Sequence, residues 1–180
     1  MMPMQWRCSG EIAMRPNEII VAMNAEDYAA GKILIEEYAA AVGGNLCFQN
    51  FSEEMANLSQ IYGPPDGCLL FARNKSELIA CVAIRNQDRA TCEMKRLYVK
   101  PQHRRTGLGR RLAESAMAHA QQLGYTRMVL DTLPTMTAAH ALYASLGFRE
   151  IAGYYQNPLG DVRFLACDLS NYHEPSSAED

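Results

Sequence analysis

No apolar run in the chain approaches the roughly 20 residues that a membrane-crossing helix needs, and the stretch from Met1 to Gly10 lacks the charged-then-apolar order of a secretory signal. A cytoplasmic protein without membrane attachment is expected. The six cysteines (Cys8, Cys47, Cys68, Cys81, Cys92 and Cys167) include no C-x-x-C pair and no neighbouring histidine pair. That speaks against a zinc site and against a disulfide scaffold, so no metal is expected and the cysteines read as reduced, mostly buried small hydrophobes. An excess of positive charge is missing too: net charge is −3 and the pI about 5.8, so nothing in the overall balance favours nucleic acid or an anionic membrane.

What is present suits one compact domain: 180 residues, 48% hydrophobic and 21% charged. Residues 1–17 show neither helical nor strand periodicity and read as an N-terminal appendage, and 171–180 read as a polar tail carrying Pro175. Between them, 18–170 form the domain. Glu18 to Met23 suits a strand. Asn24 stands where an N-cap opens a helix from Ala25 to Val42, with an apolar stripe of Ala30, Ile33, Leu34, Tyr38, Ala41 and Val42, stopped by Gly43 and Gly44. A shorter helix is predicted from Ser52 to Ser59. Three strand-like runs follow, Cys68 to Arg73, Glu77 to Asn86 and Thr91 to Val99, with breaks short enough for hairpins. Leu112, Ala113, Ala116, Met117, Ala120 and Leu123 mark one face of a helix ended by Gly124; then come a strand from Arg127 to Thr132, a helix from Met136 to Leu146, and strands at Phe148 to Ala152 and Val162 to Leu169. This order predicts an α/β fold, a mixed central sheet of about six to seven strands flanked by about four helices.

Seven of the seventeen basic residues fall between Lys95 and Arg111, and no acid interrupts them between Glu93 and Glu114. The block coincides with a glycine-containing turn entering a helix, where unpaired N–H groups and the positive dipole end favour an anion. Gly107 and Gly109 would let a phosphate approach the backbone. The turn has no G-K-[ST], which rules out a P-loop, and Leu112 stands where a dinucleotide fingerprint has its third glycine.

The stretch Leu97-Tyr98-Val99-Lys100-Pro101-Gln102-His103-Arg104-Arg105-Thr106-Gly107-Leu108-Gly109 resembles the acetyl-CoA motif of GNAT acetyltransferases, Q/R-x-x-G-x-G/A, with Arg104, Gly107 and Gly109 in its fixed positions. Ala139-His140-Ala141-Leu142-Tyr143-Ala144-Ser145-Leu146-Gly147-Phe148 is similar to the family's second signature, A-x-x-L-Y-x-x-x-G-F. The resemblance implies a GNAT fold and an N-acetyltransferase that takes acetyl-CoA and a primary amine of a small molecule, amino acid or peptide. It also implies that Arg104, Arg105, Thr106, Gly107, Leu108 and Gly109 cradle the pyrophosphate through backbone N–H groups. Leu97, Tyr98 and Val99 would supply main-chain bonds along the pantetheine arm, with the amide at Val99 polarising the thioester. Arg110, Arg111 or Arg105 would meet the 3′-phosphate. Many members have Asn at the position of Met136, and Thr135 or Thr137 is available in its stead. Homodimers are compatible with the family, and no segment here selects a pairing surface.

For catalysis the resemblance implies that Tyr143 donates to the departing sulfur, against the alternative of a core tyrosine on an amphipathic helix. Glu93 stands six residues before Val99, so an unbroken pleat would put the two on one strand face; either it is a base acting through water, as in several members, or it pairs with a nearby arginine. His140 reads as structural, and His103 and His119 as surface residues. For the acceptor, Tyr154 to Pro158 form an aromatic turn, with Glu36, Glu37, Tyr38 and Phe48 opposite it. A non-catalytic module that binds acyl-CoA as a sensor is the alternative function.

Overall fold

The computed structural model describes residues 17–43, 50–157 and 161–172. Its elements in chain order are β1 (Glu18–Val21), α1 (Ala25–Ala41), α2 (Phe51–Ala56), α3 (Leu58–Ile61), β2 (Cys68–Asn74), β3 (Glu77–Asn86), β4 (Thr91–Val99), a 3₁₀ turn (Pro101–His103), α4 (Leu108–Gln122), β5 (Arg127–Thr132), α5 (Thr137–Ser145), β6 (Arg149–Ile151) and β7 (Arg163–Asp168). The strands form one sheet in the order β1-β2-β3-β4-β5-β7-β6. Every neighbouring pair is antiparallel except β4 with β5. The expected mixed α/β sheet is therefore found. The last strand of the chain lies inside the sheet, between β5 and β6.

Two apolar layers sandwich the sheet. On one face Ile79, Val82, Ile84, Met94 and Met128 pack against Leu108, Leu112, Ala116 and Met117 of α4. On the other, Leu69, Phe71, Cys81, Ala83 and Tyr98 meet Leu34 and Ile35 of α1 and Leu58 and Tyr62 around α3. Because both faces are covered, β2 and β3 are long unbroken apolar runs rather than alternating ones. Cys68, Cys81, Cys92 and Cys167 are free and buried, as expected, and burial pushes the thiols of Cys68, Cys81 and Cys92 up to about 12. Cys8 and Cys47 lie outside the described residues.

α1 begins as its sequence indicates: the Asn24 side chain accepts from the Asp27 N–H at 3.0 Å, and the Asp27 carboxylate accepts from the Asn24 N–H at 3.2 Å. Its buried face is Gly31, Leu34, Ile35 and Ala39, whereas Ile33, assigned to the stripe above, is 59% exposed. Gly31 sets this rotation. A Cβ there would stand 2.7 Å from Leu69 Cδ2 and 2.8 Å from Phe71 Cζ, so the helix can approach the sheet closely only where no side chain intervenes. Gly31→Val should therefore cost about 1–3 kcal/mol through overpacking, read as a thermal midpoint lower by about 5 °C; an unchanged melt would mean that α1 lifts off freely. The single helix expected from Ser52 to Ser59 is two, because Asn57 leaves the helical conformation and its side chain takes the Glu53 carbonyl at 2.8 Å.

Candidate active site

β4 and β5 pair in parallel at Thr91↔Arg127, Cys92↔Met128 and Glu93↔Val129, and the ladder ends there although both strands continue. The cause lies on the other side of β4. Between Cys81↔Tyr98 and Ala83↔Lys95, β4 advances three residues while β3 advances two. The extra residue is absorbed near Arg96, which has φ 58°. Such a bulge bends its strand and sharpens the twist, turning β4 away from β5.

The bulge also exchanges the faces. Glu93, Lys95 and Tyr98 align with Arg85, Ala83 and Cys81 on the α1 side, while Met94 and Val99 align with Ile84 and Ala80 on the α4 side. The expectation that Glu93 and Val99 share a face is thus corrected: one inserted residue inverts the alternation. Arg96 is held in this conformation by Glu54 of α2, through Nε to Oε1 at 2.8 Å and a second, shorter bond from Nη2 to Oε2. Tyr62 donates to the same Oε1 at 2.6 Å. Burial alone would raise the Glu54 carboxyl, but the Arg96 hydrogen bonds and charge hold it below the ordinary carboxylate range.

Where the strands part there is a cavity of about 80 Å³. Met94, Lys95, Arg96 and Leu97 line it from β4; Asp131, Thr132 and Leu133 from β5 and its end; Met136, Ala139 and Tyr143 from the α5 side; and Tyr38 from α1. Tyr143 and Ala139 belong to the α4-side layer and Tyr38 to the α1-side layer, so the cavity reaches through the sheet. The Tyr143 ring lies 5.6 Å from that of Phe148, and burial pushes its phenol well above the usual tyrosine value. Met136 accepts the Thr132 hydroxyl on sulfur at 3.8 Å, while Thr135 and Thr137 are exposed.

The basic turn lies at the end of β4. Arg105 (φ 62°) and Gly107 (φ 79°) are left-handed, and Gly107 opens α4 with no side-chain cap and no acid in the first turn. The leading N–H groups of a 15-residue helix are thus left for an outside acceptor. A Cβ at Gly107 would meet nothing within 4 Å, so the turn is open to a phosphate. The residues predicted to hold the coenzyme are not equivalent. Arg104 is exposed but tied to the end of β4: Nε donates to the Val99 carbonyl at 2.9 Å, its N–H donates to the Pro101 carbonyl at 3.3 Å, and its guanidinium lies 5.8 Å from the Tyr98 ring. Thr106 donates its hydroxyl to the His103 carbonyl. The Leu108 side chain is core, so this residue can offer only main chain, and the Tyr98 ring packs on Tyr38 at 5.9 Å. Arg110 is tied to Glu114 at 3.1 Å and to Ser145 of α5. Arg111 donates to the Asn17 carbonyl. Arg105 is exposed and forms no ion pair among the described residues.

Glu93 is fully buried. One carboxylate oxygen accepts Arg85 Nε at 2.6 Å and Gln87 Nε2 at 2.7 Å; the other accepts the Tyr154 hydroxyl at 2.6 Å and lies 3.6 Å from Lys95 Nζ. It does not line the cavity. Of the two readings above, the pairing with an arginine is the one this geometry supports. Beyond it, Lys95 Nζ donates to Asp131 at 2.8 Å, and the hydroxyl of Tyr155 and the amide of Asn157 approach the same carboxylate. The aromatic turn therefore closes over these charges, with Tyr154, Tyr155 and Phe164 in mutual ring contact at 5.0–5.3 Å. Opposite it, Glu36 is exposed, Glu37 lies 3.7 Å from Lys100, and Phe48 and Pro158 lie outside the described residues. His140 Nδ1 is 3.3 Å from Arg163, away from the cavity lining, and His119 is half-buried rather than at the surface. Among the described residues no group of three or more His, Cys, Asp or Glu could hold a metal, and no helix is long and apolar enough to cross a membrane.

Sequence reading missed Asp131 and counted Lys95 only as part of a basic block. The available signal was charge inside otherwise apolar strands, at alternate positions Glu93 and Lys95 and directly after Met128 to Leu130.

Comparison with known proteins agrees with this architecture. Residues 25–148 match the Acetyltransferase (GNAT) family. An uncharacterized N-acetyltransferase of Schizosaccharomyces pombe is 38% identical over 161 residues, covering 87% of this chain and 99% of that one. The N-acetylaspartate synthetase of Rattus norvegicus is 38% identical over 104 residues, 54% of this chain and 33% of that protein. A Salmonella typhimurium structure solved with its cofactor acetyl-CoA superposes with a TM-score of 0.64 at 22% identity, covering 91% and 99% of the two chains. By family match, by relatives and by the build of its cleft, the chain belongs to the GNAT acetyltransferases.

Proposed function

We propose that the protein transfers the acetyl group of acetyl-CoA to a primary amine of a small molecule, amino acid or peptide. The observation that carries this is the parting of β4 from β5 beside Tyr143, with the uncapped start of α4 at its end. When bound, acetyl-CoA supplies an activated thioester and a thiol leaving group. The main chain of Gly107, Leu108 and Gly109 receives the pyrophosphate, and exposed Arg105 is the cation available to the 3′-phosphate. Beyond Glu93 the main chain of β4 has no β5 partner and can bond to the pantetheine arm, the Val99 amide serving the thioester carbonyl. Tyr143 keeps its proton at neutral pH and stabilises negative charge developing on sulfur, while the proton lost by the amine leaves to water. The acceptor approaches from the Tyr38 side, opposite Tyr143.

The test is thiol release from acetyl-CoA against a panel of amines, amino acids and short peptides. Acetyl-CoA binding without release above hydrolysis for any acceptor would leave the non-catalytic module as the function. One variant checks the phosphate turn. A Cβ at Gly109 would make only ordinary contact, 3.7 Å from Val99 Cγ2, so Gly109→Ala should fold normally. That methyl points toward Val99 and Leu142 rather than into the open turn, and the family motif admits Ala at this position, so the Kd for acetyl-CoA should stay within about twofold by calorimetry; a tenfold rise would mean that the phosphate sits against Gly109 itself.

A further inference from the structure

We propose that the Lys95–Asp131 pair reads the acceptor, and that the acceptor it fits is a free α-amino acid in its zwitterionic form, its ammonium taken by Asp131 and its carboxylate by Lys95. The ammonium then gives one proton to water, and the neutral amine forms the C–N bond as the thioester C–S bond breaks and the thiolate departs. This rests on the transferase reading above and narrows its substrate class.

Position is the first argument. Each residue stands two places beyond the last β4–β5 pair, Glu93↔Val129, so the two face one another from opposite strands at the point where the sheet opens. Both line the cavity that Tyr143 and Leu97 also line. A molecule held between them has its amine at the acetyl-transfer position rather than at a remote subsite.

Availability is the second. Three charged side chains line the cavity, and Arg96 is already engaged by both oxygens of Glu54. Glu93, with its oxygens filled by Arg85, Gln87 and Tyr154, is behind the wall. Lys95 and Asp131 keep capacity. An ammonium has three donors, and Lys95 places one on Asp131 at 2.8 Å with Glu93 at a longer 3.6 Å. A carboxylate has about four acceptor sites, and Asp131 receives Lys95, Tyr155 and a long 3.4 Å contact from Asn157. Burial would raise the Asp131 carboxyl, but the Lys95 charge and hydrogen bond hold it below the ordinary range, so it is ionised when an ammonium arrives.

Charge balance is the third. Opposite charges in a cavity wall stabilise a fold no better than apolar packing would, yet they discriminate between ligands. A simple amine must compete with Lys95 for Asp131 and brings a second cation into a half-closed space. A peptide N-terminus has an amide where Lys95 awaits an anion. A zwitterion adds one charge of each sign and leaves the net charge unchanged, inserting itself as a second, antiparallel ion pair.

The experiment compares each of the twenty amino acids with its carboxamide and its decarboxylated amine, in thiol release and in calorimetric binding to the CoA-loaded wild type. At least one amino acid should bind and turn over, with kcat/KM about 10–100-fold above its amide, the worth of a charge-assisted hydrogen bond. Lys95→Met should remove that preference while the Kd for acetyl-CoA is unchanged. Amides or amines that serve as well as acids overturn the proposal, as does a Lys95→Met protein that weakens acid and amide alike. If that variant does not fold, the wild-type comparison alone decides. If no amine releases thiol, the transferase reading falls separately: amino-acid binding that excludes the amide still upholds the zwitterion site, and no amino-acid binding overturns it.

Discussion

Replacing Tyr143 by phenylalanine should lower kcat by about 10²–10³, the usual loss on removing one donor aimed at developing charge, while the Kd for acetyl-CoA stays within about twofold. The substitution removes one oxygen and keeps the ring, which packs 5.6 Å from Phe148 inside the α4-side layer, so neither the cavity wall nor α5 has reason to shift. Rapid-quench rates and calorimetry on the same preparation separate the two quantities. Equal losses in kcat and in thermal stability would assign Tyr143 to the core instead. A pH profile supplies a second check. Because burial raises the phenol above its ordinary value, Tyr143 remains protonated as pH rises from 7 to 10. The wild-type rate should therefore climb over that range as the amine loses its proton, with no descending limb from this tyrosine.

Removing the Glu54 carboxylate should be the most damaging change to stability. Glu54→Ala leaves the Arg96 guanidinium buried without its partner and strips Tyr62 of its acceptor. Breaking such a pair costs about 3–5 kcal/mol, which for a domain of this size lowers Tm by about 10–15 °C. The double variant Glu54→Leu with Arg96→Met should recover most of the loss, because apolar groups of similar volume replace both charges together. No recovery would mean that the pair is needed to hold the bulge rather than merely to be neutral. Linkage gives the pH dependence. The folded Glu54 carboxyl lies below its unfolded value, so its contribution is complete above the unfolded pKa and disappears as pH falls through the folded one. Acid melts of wild type and the double variant should converge as that contribution vanishes.

Much of this molecule was legible in the sequence because its signals are local. The glycine turn, the amphipathic face of α4, the Asn24 cap and the hairpin spacing of β2 to β4 each depend on residues a few places apart. What was not legible depends on distant partners. Arg96 carries the bulge without being glycine or asparagine, and the residue that stabilises it is 42 positions away in α2. Once the bulge inverts the pleat, the sequence rule that joined Glu93 to Val99 gives the wrong face. Position along the chain also hid the placement of β7, since a final hairpin does not reveal which of its strands will join β5. The rotation of α1 escaped for the opposite reason: its apolar residues nearly encircle it, and a glycine, Gly31, decides which side is buried.

The short ladder between β4 and β5 has one more consequence. Three residue pairs join a four-stranded plate, β1 to β4, to a three-stranded plate, β5 to β7, and beyond that seam each plate ends in unshared backbone. A ligand lying along the gap takes up bonds that a continuous sheet would have spent on itself. Under the proposed function the coenzyme would serve as a removable eighth strand, so that its affinity and the cohesion between the plates would draw on the same hydrogen bonds, and tightening the seam would weaken the grip on the coenzyme.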